Sequence, residues 1–209
     1  VDLLRKLLPT GAGHALVRAY QELRDARGER PGVGEIYRMG QNPAAIKDHP
    51  SWFGFVASQG DLDDNEAAVL DQAGRFLQAL ERSEKMSKSF EMVTVQALIE
   101  AGALTQGLPV PELARRAHGI IARSLELFGD IEGVRELPDP RNPDAAAWER
   151  YWRKNPVHFW THGGSSGRAR RWFRIENDRF LPTFEVSDAQ VPALADMVGE
   201  IVDYRLARY

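Results

Sequence analysis

The residues best suited to bind a ligand are arginines and aromatic side chains between Arg141 and Phe180. That stretch holds nine Arg and Lys residues against four Asp and Glu residues, a balance of +5 in a chain whose formal net charge is −3. The remaining residues therefore sum to −8, so charge is strongly segregated along the chain. Arginine and lysine bind phosphate oxygens and aromatic rings stack on bases, so this composition favours a nucleic-acid-binding surface.

The loop in THGGSSGRARRWFR is expected to join two short strands, VHFWT and RWFRIEN, and to form a wing that reaches a nucleic-acid groove. Four arginines of this region would contact phosphates: Arg168, Arg170, Arg171 and Arg174. Arg153 and Lys154 would extend the patch. The alternative is a solvated surface hairpin whose aromatic residues belong to the core, because charged hairpins are common.

Two histidines and a tryptophan alternate in the first of those predicted strands. On an extended strand His158, Trp160 and His162 share one face, which suits either a stacking surface for bases or a filled core. The histidines lack a His-Glu signature and no cysteine could complete a tetrahedral site, so no metal is predicted.

The segments FEMVTVQALIEAGAL, LPV, ELARRAHG and IIARSLELFG follow one another along the chain. They predict a helix, a short strand, a helix that ends at a glycine, and a further helix. This order is typical of a helix-turn-helix core. If such a core docks as a winged helix, its basic side chains approach a groove. These are Arg115, Arg116, His118 and Arg123.

The string KMSKS, residues 85–89, marks the ATP-handling loop of class I aminoacyl-tRNA synthetases. That site also needs a nucleotide-binding parallel sheet and a histidine motif, and the sequence predicts neither. Lys85 and Lys88 are therefore expected to be solvated linker residues, with Ser87 or Ser89 at a helix N-cap. The glycine loop lacks the Gly-Lys-Ser/Thr ending of a phosphate loop, so no ATP and no other cofactor is expected.

Catalytic patterns are weak elsewhere. The acidic run Asp61, Asp63, Asp64 and Glu66 has no Gly at the sixth place of a calcium loop, and Gln72 stands where the bidentate Glu belongs, so it is interpreted as helix capping. No Ser, His and Asp set stands out, and no carboxylate motif has a suitably spaced lysine. The chain is expected to be non-catalytic, with a nuclease of divergent site as a remote alternative.

Composition sets broad limits. A chain of 209 residues that is 43% hydrophobic can form a real core. It contains no cysteine, which fits a cytoplasmic location and excludes disulfides and thiol catalysis. No apolar run suggests a membrane partner. The opening VDLLRKLLPT is interpreted as the edge of a longer polypeptide.

The predicted fold class is α+β, predominantly α. Residues 1–82 are expected to form a helical bundle, and residues 83–209 a winged-helix-like domain with a small antiparallel β-hairpin and a C-terminal helix.

Three segments carry a family resemblance: RPGVGEIYRMG, SWFGFVASQGDL, and MSKSFEMVTVQALIEAG with PVPELARRA. Their succession, over residues 30–128, resembles the accessory region that follows the motor in bacterial DEAD/DEAH-type helicases of restriction and phage-defence loci. In that family the part similar to MSKSFEM is a linker into a helix, with Lys88, Ser89 and Met92 at the matching places. The resemblance implies a non-catalytic DNA-binding accessory module.

The late PVHFW and WFRIENDRF segments resemble in layout the winged-helix-like readers of modified DNA, such as the sulfur-binding domains of phosphorothioate-dependent restriction enzymes. The expected partners are duplex DNA and the rest of a larger polypeptide or helicase motor. The competing hypothesis is a protein-interaction module that docks through the Trp52 and Phe53 region or through the C-terminal helix.

Overall fold

A computed structural model describes residues 12–46, 48–82, 86, 88–163 and 171–209. These residues form two compact units. The first contains the elements from Ala12 to Arg82 together with residues 196–208, and the second contains the described residues from 86 to 195 together with Tyr209.

The first unit is built from helices. They are α1 Ala12–Arg27, α2 Val33–Arg38, a 3-10 turn Pro43–Ala45, α3 Trp52–Ser58, α4 Asp64–Arg82, and residues 196–207 of the C-terminal helix Val191–Ala207. At the start of α4, Asp63 Oδ1 accepts from the backbone N–H of Glu66 (2.8 Å) and Glu66 Oε2 accepts from that of Asp63 (3.1 Å). This capping box confirms the capping interpretation of the acidic run.

A carboxylate at the centre of the first unit joins three of its segments. Glu200 Oε1 accepts from the backbone N–H of Val33 (2.7 Å) and from Trp52 Nε1 (2.8 Å), while Glu200 Oε2 accepts from Arg30 (2.9 Å). Arg30 also pairs with Glu66 at 2.5 Å. We call Arg30, Glu66 and Glu200 the Glu200 network. The side chains of all three are less than one-fifth exposed, so these charges are held inside the unit.

The second unit combines helices with a small sheet. Its elements in order are α5 Phe90–Glu100, β1 Leu108–Pro109, α6 Val110–Arg123, α7 Leu125–Phe128, α8 Ala145–Trp152, a π turn Arg153–Val157, α9 His158–His162, β2 Phe173–Glu176, β3 Arg179–Pro182, a 3-10 turn Asp188–Gln190, and the beginning of α10 Val191–Ala207.

The sheet is antiparallel with strand order β1-β3-β2. Strands β2 and β3 form a hairpin whose turn residues, Asn177 (φ 48°) and Asp178 (φ 62°), both have left-handed backbones. Gly107 (φ +65°) precedes β1, and a Cβ on it would lie 2.1 Å from the carbonyl oxygen of Phe180 on β3. Only glycine allows β1 to come this close to its partner strand.

These elements confirm the α+β, predominantly α fold class, with the small hairpin and the C-terminal helix. The strand β1 lies between α5 and α6 and pairs with β3 of the later hairpin. The C-terminal helix was assigned to the second domain from the sequence. In the structure its residues from Asp196 belong to the first unit because Glu200 is part of the network with Arg30 and Trp52.

The prediction of a strand at VHFWT was wrong. His158–His162 is the helix α9, which continues α8 and the π turn without a break. The chain therefore leaves α9 as a helix and not as a strand, and residues 164–170 of the predicted wing lie outside the described residues. The hairpin turn is the short Asn177–Asp178 step.

None of the helices that the structure describes is both long and apolar enough to span a lipid bilayer.

Candidate nucleic-acid interface

The helical segment 145–162, made of α8, the π turn and α9, is the longest continuous element in the second unit. It begins where Asp144 Oδ1 accepts from the backbone N–H of Ala147 (2.8 Å) and ends at Gly163, whose φ of 79° terminates the helix. Each end is thus capped by a residue suited to that position.

Aromatic residues fix this segment to the rest of the unit. The rings of Trp148 and Trp152 stack at 5.2 Å, and Phe90 of α5 contacts Trp152 at 5.2 Å. Trp148 Nε1 also donates to the carbonyl oxygen of Ala114 on α6 at 2.6 Å. One face of the segment is therefore held in the core by bulky aromatic packing.

A proline lies inside the segment without breaking it. Pro156 has no N–H, so the Tyr151 carbonyl loses the backbone donor that a π turn would supply. Asn155 Nδ2 donates to that carbonyl at 2.8 Å and replaces the missing bond. The side chain of Asn155 thus allows the helix to continue past Pro156 into α9.

The opposite face of the segment is a row of nitrogen-bearing side chains. Arg150, Lys154, His158 and His162, spaced four residues apart, are all exposed. In a regular α-helix each step of four advances the side chain by about 40° around the axis. The wider π turn takes back part of this advance, so the four side chains stay on one face. We call these four residues the stripe.

The stripe is only lightly compensated by acidic side chains. Lys154 pairs with Glu136 at 3.3 Å, and both side chains are more than half exposed, so this pair contributes little free energy. Arg150 makes no ion pair with any residue that the structure describes. Both cations are therefore available to an anionic ligand.

His158 and His162 form the end of the stripe. Their rings stack with centroids 4.0 Å apart and planes inclined by 21°. His162 Nδ1 lies 2.9 Å from Thr161 Oγ1 and 3.2 Å from the carbonyl oxygen of His158. Trp160, by contrast, points into the core: its ring is buried and its Nε1 donates to the carbonyl oxygen of Glu91 at 3.2 Å. The shared face predicted for the three residues was wrong because it assumed a strand.

The hairpin carries a second, partly neutralised set of cations. Arg153 of the π turn bonds to Glu149 (2.8 Å) and to Asp178 in the hairpin turn (2.6 Å). Burial alone would lower the pKa of Arg153, but its bonds to these two carboxylates outweigh burial and raise it. Arg153 is therefore a fixed cation that ties the hairpin turn to the helix.

Two arginines of the predicted patch lie at β2. Arg174 bonds to Glu176 (3.3 Å) and to the carbonyl oxygen of Pro182 (2.7 Å), while Arg171 is exposed and its side chain has no partner among the described residues. Trp160 of α9 packs edge-on against Phe173 of β2, which brings this strand beside the end of the segment. Arg168 and Arg170 lie outside the described residues.

The basic residues predicted on α6 are mostly paired. Glu112 binds both Arg115 (2.8 Å) and Arg116 (2.6 Å), and Arg123 binds Glu100 (2.8 Å). Hydrogen bonding from Arg115 is the main reason that the pKa of Glu112 is lowered. His118 is half-buried, with Nε2 3.0 Å from the carbonyl oxygen of Pro140. The three arginines are thus occupied by carboxylates and His118 is half-buried, whereas Arg150 of the stripe has no ion pair with a described residue.

The KMSKS string has a structural role in its described part. Lys88 Nζ donates to the carbonyl oxygen of Asp130 (2.6 Å), and the N–H and hydroxyl of Ser89 both donate to Asp130 Oδ2 (2.8 and 2.6 Å). The expectation of a solvated Lys88 was wrong. Ser89 occupies the N-cap position of α5, but its side chain bonds to Asp130 and not to the helix. Lys85 and Ser87 lie outside the described residues.

The surfaces proposed for protein docking are largely filled with core residues. Trp52 and Phe53 are at most 1% exposed, and Leu194, Val198 and Ile201 of α10 are fully buried. They cannot serve as an apolar docking face in this structure. Within the described part of the chain, no group of three or more His, Cys, Asp or Glu side chains could hold a metal ion.

Sequence reasoning found the members of the stripe in separate groups but not the stripe itself. Arg150 was counted only in the charge balance, although the four-residue spacing of Arg150, Lys154, His158 and His162 was visible as a helical signal. No protein family model matches the chain, and no curated protein or solved structure matches it either.

Proposed function

We propose that the second unit binds nucleic acid, preferably duplex DNA, through the stripe. The observation that supports this most directly is the row of exposed, weakly compensated Arg150 and Lys154 side chains on a rigid helical segment. Fixed cations at regular spacing release counterions from a polyphosphate when they bind, which is the main source of affinity for nucleic acid.

The dimensions of the segment suit a duplex. Its 18 residues extend about 27 Å, and neighbouring stripe residues are about 6 Å apart along the axis. An α-helix fits the major groove of B-DNA, which is about 12 Å wide. The hairpin turn, tied to the segment by the Arg153–Asp178 pair, supports this geometry because it holds a second element beside the helix.

The proposal extends to the place of this chain in a larger system. We propose a non-catalytic accessory module of a helicase or restriction-type defence protein, acting in the cytoplasm. This part is supported by the resemblance of residues 30–128 alone. Binding to a partner protein is the competing function, and Leu125, with 87% of its surface accessible, is the most exposed of the large apolar residues in the described part of the chain.

The decisive experiment is fluorescence anisotropy with a labelled duplex over a series of salt concentrations. Changing Arg150 and Lys154 together to Ala should weaken binding about tenfold and reduce the salt slope by about two. The matched control changes Arg115 and Arg123 to Ala, because both are cations already paired with carboxylates. Affinity should then change by less than about twofold.

The two variants also separate two modes of docking. A larger loss from the Arg115 and Arg123 variant would assign the interface to α6 and remove the stripe from the proposal. Unchanged affinity and slope in both variants would refute nucleic-acid binding through the stripe and through α6. Circular dichroism should show that each variant keeps its helix content, because all four side chains are exposed.

A further inference from the structure

We propose that His158 and His162 form a binding site for a divalent transition-metal ion such as Zn²⁺. In an extended strand, residues four apart lie about 13 Å from each other and cannot share an ion. On α9 they lie one turn apart, and their ring centroids are separated by 4.0 Å. The helix α9 therefore places the two histidines close enough to chelate one ion, which the predicted strand did not allow.

Hydrogen bonding assigns the protonation of one ring. The Thr161 hydroxyl has a single proton, which it donates to the carbonyl oxygen of Val157 at 2.8 Å. Towards His162 Nδ1, Thr161 Oγ1 can then only accept, and the other neighbour, the His158 carbonyl oxygen, is also an acceptor. The tautomer with the proton on Nδ1 satisfies both of these acceptors and leaves the lone pair of Nε2 for an ion.

This arrangement is the one that metal-binding histidines use. A ligating imidazole typically donates its second N–H to a backbone carbonyl or another oxygen, which fixes the orientation of the nitrogen that binds the ion. The ring of His158 has no hydrogen bond with any described residue, so it can rotate to direct a nitrogen at the same ion. Because the stacked ring planes are inclined by only 21°, one ring must rotate before both in-plane lone pairs meet at one ion at the usual metal–nitrogen distance of about 2.0–2.1 Å.

Chemistry restricts the class of ion. Neutral imidazole nitrogen suits Zn²⁺, Cu²⁺ and Ni²⁺, whereas Mg²⁺ and Ca²⁺ prefer oxygen. In the part of the chain that the structure describes, no third His, Cys or carboxylate joins the pair, so water completes the coordination. Lys154, one turn earlier on the stripe, repels a cation. Affinity must therefore come from the chelate, and the ion should exchange readily.

The test is an isothermal titration of Zn²⁺ into the full chain, without nucleic acid, so that its outcome does not depend on the proposed function. His158→Gln and His162→Gln each remove one ligand and keep a helix-compatible side chain. The matched control is His14→Gln, because His14 is exposed on α1 and has no partner among the described residues.

The wild-type chain and H14Q should bind one Zn²⁺ with equal affinity, and H158Q and H162Q should each weaken binding at least about tenfold because the chelate effect is lost. Imidazole ¹⁵N spectra should show the Zn²⁺-induced shift at Nε2 of His162. Full affinity in both single variants, or an equal loss in H14Q, would overturn the site.

Discussion

The two units use charged side chains in opposite ways. In the first unit the Glu200 network is enclosed, with each side chain less than one-fifth exposed and Glu200 bonded to Arg30, Val33 and Trp52. In the second unit the interior is aromatic, centred on Trp148 and Trp152, and the cations of the stripe lie outside. The charges of the network are paired and enclosed, whereas those of the stripe are exposed.

The sign and number of charges along a sequence do not reveal how those charges are used. Arg30 and Arg150 are the same residue type, but Arg30 has two carboxylate partners and Arg150 has none among the described residues. An arginine that is already paired must lose a partner before it binds phosphate, so an unpaired arginine contributes more to binding. Pairing and exposure decide which arginines are candidates.

If backbone fit and apolar packing hold the second unit together, its most sensitive position should be uncharged. Gly107→Ala would place a Cβ 2.1 Å from the Phe180 carbonyl oxygen at a φ of +65°. We expect a loss of about 4 kcal/mol in the free energy of unfolding, measured by urea denaturation. Gly102→Ala is the control, since Gly102 has φ +61° but open space around it, and should cost about 1 kcal/mol. Equal losses would show that β1 does not depend on this approach.

The first unit should respond most to loss of its carboxylate. Glu200→Ala leaves the guanidinium of Arg30 with one partner and removes the acceptor of Trp52 Nε1. We expect the free energy of unfolding to fall by about 3 kcal/mol. Asp196→Ala is the control on the same helix, because Asp196 is exposed and has no partner among the described residues; it should change stability by less than about 0.5 kcal/mol. A loss of less than about 0.5 kcal/mol for Glu200→Ala as well would contradict the role of the network.

The fold class was predictable because apolar spacing and caps are local properties. The apolar residues Val69, Phe76 and Leu80 recur at helical spacing and lie buried on α4, and the short extended LPV predicted β1. The partner of β1 was not predictable, since β3 lies about 70 residues later and is selected by the close approach at Gly107. Likewise, nothing local indicates that Glu200 returns to Arg30.

The candidate site was only partly predictable for a different reason. Val157, Phe159 and Trp160 have side chains that favour strands, and Pro156 ordinarily ends a helix. Tertiary packing of Trp160 and the bond from Asn155 to the Tyr151 carbonyl outweigh both preferences. The predicted strand therefore placed His158 and His162 far apart, whereas the helix α9 brings their rings together.

The buried Tyr20 of the first unit makes the free energy of unfolding depend on pH in the alkaline range. Burial, followed by the hydrogen bond to Asp61, raises the pKa of Tyr20 above its ordinary value of 10.0. The folded state thus holds this proton more tightly than the unfolded state. Its contribution to stability is complete below about pH 10 and is lost as the pH rises through the folded-state pKa. Tyr20→Phe should lower the free energy of unfolding by about 1 kcal/mol at neutral pH. Above pH 10 the stability of this variant, measured by denaturation, should fall less steeply than that of the wild type. If the stability of the wild type and that of Y20F depended on pH in the same way, the raised pKa of Tyr20 would be contradicted.

The carboxylate of Asp178 is expected to limit how well Arg153 of the second unit binds phosphate. Asp178 holds Arg153 at 2.6 Å, so a phosphate must compete with it for this guanidinium. Asp178→Asn should therefore tighten duplex binding about two- to threefold, measured by anisotropy at fixed salt. Glu185→Gln removes the same charge at an exposed position without a described partner, and it separates a local effect from a change in net charge. A gain confined to D178N would place Arg153 at the phosphate-binding surface, because the added affinity then comes from one released guanidinium. Equal gains in both variants would remove Arg153 from that surface and leave the stripe as the only cationic element of the proposal.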